Sequence, residues 1–144
     1  MQEPAELAAS TGYLLARVGA ESRRLWARML AEHGLTPHHF GVLLVLDQVG
    51  AASQQQLSRA VGVDPRNAVP VIDLLQQRSL VERRPDPADR RRHAVALTPT
   101  GQAAIEELRR AGEQVEQRLL DCLTAAERTG LHRMLRKLLT ALDS

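Results

Sequence analysis

Residues 53–67 read Ser-Gln-Gln-Gln-Leu-Ser-Arg-Ala-Val-Gly-Val-Asp-Pro-Arg-Asn. Ser53 is placed to cap the first free amides of a helix, and Gln56 to reach back to the N–H of Ser53. Leu57, Ala60 and Val61 fall at helical spacing, and Gly62 supplies the left-handed residue that ends the segment. A second helix follows at once, with Asp64 as N-cap and Pro65 in the first turn, where a missing N–H costs nothing. The spacing predicts Val69, Ile72 and Leu75 on its inner face and Arg66, Asn67, Pro70 and Asp73 near its outer face. Two short helices joined by a glycine turn are a helix-turn-helix.

Downstream, Leu80-Val-Glu-Arg-Arg-Pro85 and His93-Ala-Val-Ala-Leu97 are strand-like runs flanking the polar turn Asp86-Pro-Ala-Asp-Arg-Arg-Arg92. The pattern predicts a β-hairpin with a basic tip. Arginines 83, 84, 90, 91 and 92 crowd this hairpin, with Glu82, Asp86 and Asp89 offsetting part of the charge. A helix-turn-helix places its second helix in the major groove of DNA, and arginines on a projecting loop suit the narrow minor groove.

Residues 35–142 resemble the MarR family of winged-helix transcription regulators. The resemblance rests on Leu35-Thr-Pro, on Gln56-Leu-Ser-Arg-Ala-Val-Gly-Val-Asp64, on Leu80-Val-Glu-Arg, and most of all on Asp89-Arg-Arg91 and Leu97-Thr-Pro-Thr-Gly101 at the spacing of the family's wing. It implies that Arg91 enters the minor groove and that Asp89 holds the wing's shape. The candidate DNA-contacting set is Ser53, Arg66, Asn67, Pro70, Asp89, Arg90 and Arg91. Two departures stand out. Pro70 interrupts the second helix, removing the bond to the carbonyl of Arg66 and predicting a bend, while Val69-Pro70 replaces the polar or basic groups common there. Ser79 stands where the family usually has glycine after the helix.

The remaining chain predicts helices. One runs from about Glu6 to Glu32, a second begins at Thr36-Pro37, a third at Thr98-Pro99, and a last after the capping box Thr124-Ala-Ala-Glu127. Leu131, Met134, Leu135, Leu138, Leu139 and Leu142 form the inward face of the last helix. The expected fold is therefore mainly α with a small β-hairpin wing, a single domain over 1–144. Within it, 36–98 is the winged helix-turn-helix part, and 5–32 and 99–142 are dimerisation helices. These terminal helices carry more apolar surface than a winged helix can cover, so a homodimer is expected, presenting two recognition helices to half-sites roughly 34–36 Å apart in a pseudo-palindromic operator.

The family resemblance also implies a small-molecule site where the dimer helices meet the winged part, commonly for aromatic or other anionic effectors. Tyr13, Arg17, Trp26 and His39 are its candidate lining. The reading is thus a ligand-responsive repressor. The alternatives are a thiol-responsive regulator using Cys122, and a dimeric scaffold that has lost DNA binding through Pro70.

Composition narrows the field. The chain has 144 residues, a net charge of +2 and 44% hydrophobic content, which suits a folded domain. Aromatics are 2%, too few for the stacking platforms of single-strand binders. All the basic residues except Lys137 are arginine. No nucleophile–base pairing, metal-ligand spacing or phosphate-binding glycine loop appears, so neither an enzyme, a metal nor a cofactor is indicated. His38 and His39 are neighbours that point about 100° apart on a helix, a poor pair of ligands and more suited to phosphate or solvent; His33 and His132 default to structural roles. Cys122 reads as a buried, inert thiol between Leu119 and Leu123. Neither a signal peptide nor a membrane span is legible, so a cytoplasmic location is expected.

Overall fold

The structure, a computed structural model, describes residues 4–144. It is mainly helical with one small sheet. The N-terminal arm comprises α1 (Ala5–Ala8) and α2 (Thr11–Glu32). The expected single helix over 6–32 is therefore broken: the hydroxyl of Ser10 accepts the N–H of Tyr13 and caps a new helix, in the role serine plays best. Then come α3 (Pro37–Val49), β1 (Ala51–Ser53), α4 (Gln54–Val61) and α5 (Pro65–Gln77). The hairpin strands β2 (Val81–Pro85) and β3 (His93–Leu97) lead into α6 (Pro99–Leu119) and α7 (Ala125–Leu142).

Caps set most boundaries. Ser53 and Gln56 form the expected reciprocal capping box of α4, Gly62 is left-handed at φ 72°, and the carboxylate of Asp64 accepts the N–H of Arg66 at 2.8 Å. Thr98 caps α6, and Thr124 with Glu127 caps α7. Helix α5 ends in a Schellman turn, with the N–H of Ser79 donating to Gln76 and that of Leu80 to Leu75. Ser79 is the only described non-glycine residue with positive φ, at 60°, so the missing glycine leaves a serine in a conformation that costs it about 1 kcal/mol or more.

The sheet has order β1-β3-β2, both pairs antiparallel, with Arg83 opposite Val95 and Pro85 opposite His93. Strand β1 extends the anticipated hairpin to three strands. Beneath it lies one core built from Leu30, Val42, Leu43, Leu46, Leu57, Ile72, Leu75, Val95, Ile105 and Leu108, all nearly solvent-free. Trp26 stacks on Phe40 with ring centroids 5.8 Å apart and lies against Gly112, where a Cβ would collide with the indole. It thereby knits α2, α3 and α6 together. Asp47 on α3 adds an ion pair to Arg109 on α6 at 2.7 Å, and this guanidinium holds the carboxyl of Asp47 below the usual carboxylate range.

The arms differ from the core. Helix α7 buries no residue within its own chain, and Met134, Leu135, Leu138, Leu139 and Leu142 are all exposed, the last at 80%. Leu7, Leu14, Leu15 and Val18 are exposed on the N-terminal arm as well. Among the described residues, the predicted inward face of α7 is thus left largely open, with Leu131 half-buried, as expected of a face reserved for a second copy. Cys122 is also exposed, contrary to expectation. Helix α6 ends at Leu119, so Cys122 sits in the following turn, outside the apolar stripe that its spacing suggested.

Candidate nucleic-acid interface

The outer face of α5 starts from its cap. Asp64 fixes the first turn through Arg66, whose guanidinium remains almost wholly exposed. Asn67, Pro70 and Asp73 are exposed too. One residue departs from the expected pattern: Val69 is 39% exposed, and Ala68 fills the inner position beside Ile72 and Leu75. Residues 68, 72 and 75 follow the i, i+4, i+7 stripe, and alanine's small side chain suits the inner, packed position. The helix continues through Pro70 without interruption from Pro65 to Gln77, leaving the carbonyl of Arg66 without its usual helical donor.

A guanidinium that the sequence placed among the tip charges instead ties the elements together. Arg83 on β2 donates to Asp73 at 2.7 Å and to Gln76, both on α5, and to Gln54 on α4 at 2.9 and 3.1 Å. Arg83 shares the sheet face of buried Val81, two residues earlier, and that alternation was the signal for an inward arginine. Gln54, Asp73 and Gln76 had no comparable signal. Arg84 pairs with Glu82 at 2.6 Å.

The turn beyond is held by its aspartates. The carboxylate of Asp89 accepts the N–H of Arg91 at 3.0 Å, its carbonyl accepts the N–H of Arg92, and Asp86 accepts the N–H of Ala88 while donating its own N–H to Arg92. Arg90 and Arg91 are exposed and form no ion pair or side-chain hydrogen bond among the described residues. Ser53, Gln54 and Gln55 at the start of α4 share a groove of about 270 Å³ with Arg83, Arg92 and His93. The positive end of α4 and the base of the hairpin therefore line one surface.

Comparison with known proteins decides the family. Residues 33–92 match the sequence pattern of the MarR family. The chain is 32% identical, over 89% of its length and 90% of the relative's, to the multiple antibiotic resistance protein MarR of Salmonella typhimurium.

The chain belongs to the MarR family of winged-helix transcription regulators.

Solved structures agree in fold. The apo form of MarR from E. coli superposes with a TM-score of 0.82 at 30% identity, covering 90% of this chain and 96% of that one. The repressor CouR bound to a 23-mer DNA duplex gives 0.77 at 30% identity over 96% and 98%. BpsR of Bordetella bronchiseptica, described for regulation of its DNA binding by 6-hydroxynicotinic acid, gives 0.71 at 33% identity over 94% and 97%. Within this MarR-family chain, α4 and α5 form the helix-turn-helix and β2–β3 the wing.

The four residues expected to line an effector site are not brought together within one chain. Tyr13 and Trp26 lie thirteen residues apart on α2, about 20 Å of helical rise. Trp26 is in the core stack described above. His39 is buried, and its Nδ1 accepts the N–H of Thr36 at 2.9 Å to complete the capping box of α3, so it meets neither phosphate nor solvent. Burial, with Arg78 and His38 nearby, pushes its pKa down. A cleft of about 410 Å³ between α2 and α6 is lined by other residues, including Leu25, Arg28, Met29, Arg110 and Arg118. Among the described residues, no group of three or more His, Cys, Asp or Glu could hold a metal, and no helix is long and apolar enough to cross a membrane.

Proposed function

We propose that this MarR-family chain is a homodimeric repressor that binds a pseudo-palindromic double-stranded operator and is released from it by a small aromatic or anionic ligand. The carrying observation is the Arg83 tie, which fixes the wing to α5, the recognition helix, while Arg90 and Arg91 have no ion-pair partner among the described residues at its tip. A wing so fixed delivers its cations at a set distance from the base-facing helix, as a two-groove grip requires.

In this reading Arg66 and Asn67 meet base edges beside Pro70, Ser53 and the start of α4 meet a phosphate, and Arg90 and Arg91 enter the minor groove from a turn shaped by Asp89. The exposed leucines of α7 and α2 are covered by a second copy; most are about half open to solvent, so each contributes about half of the 1.5–3 kcal/mol of a fully buried side chain, roughly 1 kcal/mol. The duplex bound to CouR and the ligand control of BpsR support the operator and the effector. On this proposal the effector acts at the junction of arm and winged part, where Trp26 and His39 belong to the packing beneath rather than to an open lining and Tyr13 and Arg17 lie further toward the start of α2; a ligand there must favour one spacing of the recognition helices over the other. Such a regulator works beside the chromosome, in the cytoplasm.

Selection of bound sequences from a random duplex library tests this. Enrichment of a two-fold pseudo-palindrome by the wild type supports it; recovery of unselected sequence contradicts sequence-specific repression. The exposure of Cys122 favours one second reading, release by thiol oxidation. That reading requires peroxide to release DNA from the wild type and not from Cys122→Ser.

A further inference from the structure

The outer face of the recognition helix is apolar at its centre. At 100° per residue, Arg66, Val69, Pro70 and Asp73 span one arc of α5, with Val69 and Pro70 on either side of the Arg66–Asp73 line. Of the polar members of that arc, Asp73 is held by a partner, while Arg66 touches its own cap and leaves its guanidinium almost wholly exposed at the edge of the apolar centre. The guanidinium of Arg66 lies 3.4 Å from its own cap, Asp64, and Asp73 accepts from Arg83 at 2.7 Å. Between them stand the exposed isopropyl group of Val69 and the exposed ring of Pro70, which has no N–H to offer.

In the major groove every base edge presents donors or acceptors, and thymine alone adds a methyl group. A carbon surface pressed on a polar edge strips its water and gives nothing back, whereas against a methyl it removes apolar area from water on both sides. We propose that Val69 and Pro70 form a thymine-methyl reader, so that each half-site is selected for a 5-methyl pyrimidine facing the centre of α5. The proposal rests on the DNA-binding reading above and adds the base class that is read. It also accounts for why Val69 lies on the outer face while the smaller Ala68 packs inward.

The test replaces thymine by deoxyuridine, which removes the methyl and keeps every hydrogen-bonding group. At each thymine enriched by the wild type, the replacement is made in both half-sites and affinity is measured by fluorescence anisotropy at fixed salt. At the thymine facing Val69 and Pro70 the expected loss is about four-fold per half-site, the worth of one buried methyl group. The loss should shrink toward zero in Val69→Ala and in Pro70→Ala, and cytosine at that position should regain affinity on conversion to 5-methylcytosine. Both variants are on an exposed face, and thermal melting confirms that they fold. A deoxyuridine effect absent at every enriched thymine, or equally large in both variants, overturns the proposal. Salt-sensitive binding with no enriched sequence also overturns it while leaving DNA binding in place. No DNA binding at all overturns the reading on which it stands.

Discussion

The guanidinium of Arg83 donates to the carboxylate of Asp73 at 2.7 Å, joining strand β2 to the recognition helix across ten residues of sequence. The pair is partly exposed, so its coupling should be modest, about 0.5–1 kcal/mol in a double-mutant cycle of Arg83→Ala with Asp73→Ala read by urea unfolding. The larger effect should fall on DNA. Arg83→Ala frees the wing from the helix and should weaken operator binding about ten-fold or more. Arg83→Lys keeps the charge but cannot bridge Gln54, Asp73 and Gln76 at once and should recover only part.

Gly101 lies in the first turn of α6, where a Cβ would collide with the carbonyl oxygen of Leu80, itself the acceptor of the Thr98 N–H. Backbone cannot yield as a flexible side chain does. Gly101→Ala should destabilise the fold by about 3 kcal/mol, the upper part of the usual overpacking range, measured as a drop in the urea midpoint at unchanged slope. Gly130→Ala, with open space around its Cβ position and φ in the helical range, is the control and should not destabilise.

His39 makes stability depend on pH in a set direction. The folded protein holds the imidazole neutral more strongly than the unfolded chain does, because burial opposes charging and Nδ1 must accept from Thr36. The stability it contributes is therefore fully present above about pH 6.5, the ordinary histidine value, and declines as pH falls below it, since the unfolded state takes up the proton first. Urea midpoints at pH 7.5, 6.5 and 5.5 should fall more steeply for wild type than for His39→Gln, which keeps a capping acceptor without a titrating ring. Parallel curves would remove His39 as the cause.

The exposed stripe of α7 predicts the oligomer. Leu138→Glu places a charge within the face formed by Met134, Leu135, Leu139 and Leu142 and should shift sedimentation from dimer toward monomer with helical content largely retained. Operator affinity should fall about 10²-fold or more, because the second half-site no longer benefits from linkage. A dimer that persists in this variant would place the interface elsewhere.

Much of this was legible from residues whose chemistry is local. Ser53, Gly62, Asp64, Thr98 and Thr124 mark helix ends through hydrogen bonds within a few residues, and each sits where its type predicts. Ser10 offered the same signal but was masked by apolar spacing that runs through it. Ala68 and Val69 exchanged places because hydrophobicity favours valine, while packing favours the residue small enough for the inner stripe. The Arg83 hub links residues up to 29 positions apart, a distance that local pattern does not encode. Cys122 was expected to be covered, but it falls in the turn after α6, where helical spacing no longer sets which side a residue faces.

The most direct measurement is operator affinity against salt concentration for wild type and Arg91→Ala. Each cation that neutralises a phosphate contributes about 0.9 to the slope of log affinity on log salt. A dimer that uses Arg91 in both wings should lose about 1.8 of slope in the variant, together with affinity for all sequences alike. An unchanged slope and unchanged affinity would take Arg91 out of the interface and contradict the two-groove grip on which this account rests.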